Sequence, residues 1–330
     1  NTTMQLGAVA VTVSGTFTNY GVIEVNDSGS VSKTDSARGK FVYSKIDHTV
    51  KDYTSTASEY DYYDLTIDSS GYTQTAGGVL AVKNNLAVTA GTFACGSSAV
   101  TVGGTMTNAG TTAVGTGSLA VTGTTSNTGT ISAGTGSFTA KSTTSNTGII
   151  SLSTGTVTFT GDYASASTAS LTETGAGSLY FLGAANLTNN TFACGTGTVY
   201  LNGSSAQTLT TNGQSFYNVT LSNTVSTAVT VSGSMTVTGA LTVGANRTLN
   251  LAANNVALSV TGATVNNGTI SGNTSNETPA AMTFSGAYSG TSGTLSATKG
   301  TTTFGANADL SSTTFTNNGG AVVFNGTTQT

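Results

Sequence analysis

The chain has 330 residues; 43 are glycine, 1 is proline, none is tryptophan, 7% are charged, and the formal net charge is −4. Phosphate recognition needs clustered Lys and Arg, so this balance argues against nucleic acid as a partner, and no apolar run is long enough to predict a membrane span. Disordered chains of similar polarity are rich in Pro, Glu and Lys and lack apolar periodicity. Here Val, Leu, Ile, Phe and Tyr alternate with polar residues throughout, which predicts an all-β fold.

The chain begins at Asn1 rather than Met, as expected of a processed protein or a segment of a longer one. Its first 23 residues read as two strands, and AVTVSGTFTN from Ala10 returns as AVTVSGSMTV from Ala228. Residues 24–68 differ in kind. They hold nine of the thirteen acids, five of the nine bases (Lys33, Arg38, Lys40, Lys45 and Lys51), the sole histidine, His48, and five of the twelve tyrosines. Repeat character persists inside this stretch, because YYDLTI at Tyr62–Ile67 matches FYNVTL at Phe216–Leu221. The departure is concentrated in 24–60, expected to form an irregular rung, a lateral loop or a contact surface. His48 is expected to be an exposed loop residue. Tyr60, Asp61, Tyr62, Tyr63 and Asp64 are the candidate interface, sugar-contacting or calcium-binding residues, since tyrosine is enriched at interfaces and carboxylates bind hard cations.

Residues 75–203 read as the most regular part. Asn108, Asn127 and Asn146 recur every 19 residues, as do Gly117, Gly136 and Gly155, with apolar residues alternating between them. A fixed period near twenty is the mark of a solenoid, whose single repeat cannot bury its apolar face alone. The prediction is a parallel β-solenoid (β-helix) with rungs of 19–22 residues, continuous over 1–330. Stacked rungs lie roughly 4.8 Å apart, so the three asparagines should form a hydrogen-bonded amide ladder. The glycines are expected at turns. Cys95 and Cys194 sit in matching contexts 99 residues apart, about five rungs, too far for an intrachain disulfide. Each is expected to be a small buried residue or to bridge to another chain.

Residues 204–330 are written in a longer unit, GSSAQTLTTNGQSFYNVTLSN followed by MTVTGALTVGANRTLNLAANNVALSVTG. Leu201-Asn202-Gly203, Gln207-Thr208, Phe216–Leu221, Leu241-Thr242-Val243 and Thr248–Leu251 carry a resemblance to a repeat widespread in large bacterial secreted and surface proteins, of the β-helical adhesin and autotransporter-passenger class. That resemblance implies an elongated extracellular protein with a structural or adhesive role. The segment Thr314–Thr330 repeats Thr191–Thr208 and stops in mid-repeat. An open rung edge of this kind invites a second copy and predicts a head-to-tail homopolymer.

No arrangement for catalysis is legible. Outside 24–68 the acids are Asp162, Glu173, Glu277 and Asp309, widely separated, and one histidine makes neither a triad nor a metal site. No enzyme activity, cofactor or metal is expected. The first expectation is therefore an extracellular structural subunit stacking into a filament, fibre or sheath. The second is a stalk or adhesin segment that binds surface glycans or matrix through 24–68.

Overall fold

The computed structural model describes residues 2–32, 34–54, 59–166, 168–188, 190–222, 228–274 and 279–327. Glu277 and Thr330, singled out in the sequence, and Lys33 lie outside them. The chain is a parallel β-solenoid with two compact units, Asn1–Phe159 and Thr160–Thr330. Among the described residues the helical structure is a single 3-10 turn, Ala252–Asn254.

In the first unit each regular turn carries three short strands. Ala99–Val102, Met106–Asn108 and Thr111–Ala113 are followed by Ser118–Val121, Thr125–Asn127 and Thr130–Ser132, and then by Ser137–Ala140, Thr144–Asn146 and Ile149–Leu152. Each strand pairs in parallel, residue for residue, with the strand 19 positions on. Alternation in sequence becomes alternation in burial: Leu119 and Val121 point inward, Ser118 and Ala120 outward. Val100, Leu119, Phe138 and Val157 thus form one buried column, each at most 1% exposed. Burying a side chain of this size is worth about 1.5–3 kcal/mol, and each needs the rungs on both sides to achieve it.

The glycines divide the work at the corner. Gly115 and Gly134 hold φ of 73° and 60°, which other residues adopt at a cost. Gly117, Gly136 and Gly155 do not supply the left-handed turn; they permit close stacking. A Cβ on Gly136 would collide with the carbonyl oxygen of Gly117, and one on Gly155 with that of Gly136.

The charged region is built largely as rungs. Val22–Val25, Lys40–Ser44 and the start of Asp64–Ala76 form one parallel ladder, and Ser30–Val31 pairs with Ala10–Val11. His48 belongs to the strand His48–Val50, pairs with Gln74 and is half-buried, so it is not an exposed loop residue.

The second unit has the same three-ladder plan with longer steps. Leu241–Val243 pairs with Thr264–Asn266, Met235–Val237 with Leu258–Val260, and Ala228–Ser232 with Thr248–Asn250. Thr264 pairs with Tyr288, a step of 24 residues and longer than the 19–22 expected. The simple repeat motifs gain a physical meaning here. Gln207, 3% exposed, donates from Nε2 to the carbonyls of Phe181 (2.8 Å) and Gly183 (2.9 Å), and its Oε1 accepts from Gly203 N (2.9 Å). One amide thereby satisfies three backbone groups that the corner would otherwise strand.

Candidate functional site

Three features single out the molecule's chemistry: the asparagine ladder, the tyrosine-rich turn, and two carboxylates that are almost wholly buried.

The ladder forms as the spacing predicts. Asn108 Nδ2 donates to Asn127 Oδ1 at 2.7 Å, and Asn127 Nδ2 to Asn146 Oδ1 at 2.8 Å. All three residues are at most 1% exposed. Each amide nitrogen has a second use: Asn108 donates to Thr130 O (3.0 Å) and Asn127 to Ile149 O (2.9 Å). Buried amides of this kind fix register, because a slip of one residue would strand every donor.

In the tyrosine-rich turn, Tyr62 is fully buried and Tyr43 is 4% exposed. Tyr62 donates its hydroxyl proton to Lys51 O (2.8 Å). Its contact with the Tyr43 hydroxyl, at 2.9 Å, therefore has Tyr43 as donor. The Tyr53 and Phe41 rings stand edge-on to Tyr62, with centroids 5.7 and 5.3 Å away. Burial pushes the hydroxyls of Tyr43, Tyr53 and Tyr62 above the ordinary tyrosine range, so none offers a titrating group near neutrality.

Asp61 is the anchor of this turn. Its Oδ1 accepts from Tyr53 N (2.7 Å), Thr54 N (3.0 Å) and Thr54 Oγ1 (3.2 Å), and its Oδ2 from Ala81 N (2.8 Å). Desolvation raises its pKa above the ordinary value, opposed by the hydrogen bonds from Ala81 and Tyr53.

The five residues picked from the sequence do not share one surface. Asp61 and Tyr62 have no exposed area, Tyr63 and Asp64 are half-buried, and Tyr60 is 42% exposed with Lys83 Nζ 5.8 Å from its ring centroid. Asp64 has a scaffold role that recurs. Its Oδ1 accepts from Asn85 N (3.0 Å), as Asn218 Oδ1 accepts from Ala240 N (2.8 Å) and Asp162 Oδ1 from Ala184 N (2.8 Å). Each ties one turn to the entry of the next strand. The match between Tyr62–Ile67 and Phe216–Leu221 extends to burial, since Tyr62, Leu65 and Ile67 are as enclosed as Phe216, Val219 and Leu221.

Beside this turn, and in none of the five, lies a cavity of about 420 Å³, walled by Val25, Val31, Tyr43, Tyr53, Lys51 and Asp52, with His48 and Thr49 also on its lining. His48 Nε2 lies 3.2 Å from Ser44 O, and its ring packs against Tyr43 at 5.6 Å. The cavity lies within the region 24–68 marked in the sequence, apart from Gly77, and Tyr60 to Asp64 are not on its lining. Tyr43, Lys51 and Tyr53 converge because Lys40–Ser44 and His48–Val50 occupy two successive faces of one turn. Among the described residues no group of three or more His, Cys, Asp or Glu is placed to hold a metal ion.

Both cysteines are free thiols. Cys95 is fully buried, and desolvation pushes its pKa up to about 12. Cys194 is half-exposed, and its Sγ donates to Ser215 O at 3.3 Å.

Glu173, in the second unit, is 5% exposed, with Oε1 lacking a hydrogen-bond partner. Desolvation raises its pKa above the ordinary 4.5, opposed by the backbone N–H groups of Gly177 and Gly197. The folded state therefore holds this proton more tightly than the unfolded state. Its contribution to stability is complete below the ordinary value and is lost as pH rises through the raised one. Glu173→Gln should stabilise the second unit at neutral pH, with the gain vanishing in acid below the ordinary glutamate range. Thermal melts of both proteins across that range check it; an unchanged difference at all pH values would rule out the buried charge as the cause.

Comparison of the chain with protein-family models, curated proteins and solved structures found no match. The class of molecule therefore rests on the fold itself, a parallel β-solenoid with internal amide ladders.

Proposed function

We propose that this chain is a structural protein of the cell surface or extracellular space, a β-solenoid that stacks onto further copies of itself to build a filament, fibre or sheath. The observation that supports this most is the amide ladder with its one-to-one register. What holds rung on rung is backbone, small apolar side chains and buried amides, and a further rung of the same kind needs nothing else. The rings of Phe284, Phe304 and Phe324 illustrate the point. Successive rings stack with interplanar angles of 20° and 11° and centroid distances of 5.5 and 5.1 Å. Phe324 is 47% exposed, and another aromatic rung fits over it whether it comes from the same polypeptide or from a second copy. The extracellular setting rests on composition and on the repeat resemblance.

Electron microscopy with sedimentation at rising protein concentration tests self-stacking. Fibres or concentration-dependent growth are expected, weakened by Phe324→Lys, which sets a charge on the stacking surface. Discrete particles of one chain at every concentration would overturn the self-stacking reading.

A further inference from the structure

We propose that the cavity beside Lys51 in the first unit binds an acidic sugar unit, a pyranose ring bearing a carboxylate. The site is distinct from the stacking surfaces and does not depend on self-assembly.

The cavity, about 420 Å³, lies within the range of small-molecule sites, and it combines the apolar wall and few polar groups that such sites show. Val25, Val31 and Tyr43 supply the apolar wall. Ser30 and Thr49, at exposed strand positions on its lining, bring hydroxyl groups. A pyranose matches this division, with an apolar C–H face and a ring of hydroxyls.

The charge comes from Lys51. Its Nζ reaches Val31 O at 3.5 Å, the outer limit of a hydrogen bond, and lies 4.9 Å from the centroid of the Tyr53 ring. The single ion pair among the described residues is Arg38–Asp35, so no described carboxylate lies within ion-pair distance of this ammonium. Asp52 shares the wall, but its Oδ1 accepts from Thr54 N at 3.1 Å. Tyr53 also donates its hydroxyl to Val31 O at 3.0 Å, which fixes the ring that carries the cation. An unpaired ammonium over a fixed ring, beside an apolar wall, favours a ligand carboxylate through charge-assisted hydrogen bonds. One cation without an arginine fork suits a single negative charge better than a phosphate.

Calorimetric titration of the intact chain with sodium glucuronate tests the assignment, with glucose and benzoate as the neutral-sugar and acidic-aromatic comparisons. Saturable binding of glucuronate at one site per chain is expected, with glucose weaker by about tenfold or more, as loss of a charged hydrogen bond implies. Lys51→Met should cost a similar factor, and Thr49→Trp should block the cavity. Both substitutions are at exposed positions, and an unchanged circular dichroism spectrum verifies folding. Lys83→Met, an exposed lysine outside the cavity, should leave binding unchanged. Absence of saturable glucuronate binding by the folded chain, or binding indifferent to Lys51→Met, overturns the site. Benzoate binding as tightly as glucuronate overturns the sugar assignment.

Discussion

Asp61→Ala is expected to destabilise the first unit by about 3–5 kcal/mol, in the range of changes that strand buried polar groups. The carboxylate receives three backbone N–H bonds and one hydroxyl bond, from residues on two successive turns. Without it, the N–H groups of Tyr53 and Ala81 lose their acceptor, while that of Thr54 keeps Asp52 Oδ1. The loss should spread locally, because Tyr53 packs edge-on against Tyr62 and Ala81 belongs to the strand Leu80–Val82 of the next turn. Asp61→Asn should fall between the two proteins: its oxygen can serve Tyr53 and Thr54, while its NH2 group faces the Ala81 N–H donor. Because a two-unit chain need not unfold in one step, amide hydrogen exchange is the appropriate measurement. Faster exchange at Ala81 and at residues of Asp64–Ala76 is expected; exchange unchanged there would show that Asp61 does not anchor the turn.

Asn127→Asp is expected to be the most damaging single change in the regular rungs at neutral pH. The wild-type amide accepts from Asn108 and donates both to Asn146 Oδ1 and to Ile149 O. A carboxylate in this unexposed position would set a charged acceptor against two acceptors, at a cost of several kcal/mol. Asn127→Ala, which removes the bonds without adding charge, should cost about 2–4 kcal/mol. The pH dependence separates the two effects. Burial and the facing acceptors favour the protonated acid, so the aspartate variant should regain stability as pH falls, whereas the alanine variant should not. Melting curves at neutral and mildly acidic pH check this, with exposed Ser126→Ala as a control expected to stay within about 0.5 kcal/mol. Equal penalties for the two variants at all pH values would show that the site admits water or rearranges.

Much of the architecture was legible because β-solenoids obey local rules repeated many times. The 19-residue spacing of Asn108, Asn127 and Asn146 implied contact between residues distant in sequence, and their side chains meet at 2.7 and 2.8 Å. Gly117, Gly136 and Gly155 were expected at turns; what calls for glycine there is space against the preceding turn rather than backbone handedness. Sequence shows that a side chain must be absent; it does not show which clash forbids it. The longer steps of the second unit follow the same logic, since added residues change the step without changing the ladder.

The candidate site was less legible. Tyr60 to Asp64 attracted attention as a dense run of tyrosine and aspartate, yet Tyr60 to Tyr63 precede the strand Asp64–Ala76, where no period-2 alternation sorts the side chains. The neighbours Asp61 and Tyr62 are both internal while Tyr60 is exposed. Tyr43, Lys51 and Tyr53 are separated by eight and two residues and carry no motif.

Period, alternation and the placement of asparagine and glycine by themselves determined that this chain forms a parallel solenoid and which columns stack, because every rung repeats one local solution against an equal neighbour. Tertiary structure alone decided which polar groups in the irregular turn are buried supports and which surround a cavity. That division depends on where Lys51 to Thr54 are placed beside Asp61 and Tyr62, which no repeat dictates, and on the hydrogen bonds through which Asp61 holds Tyr53, Thr54 and Ala81 in place.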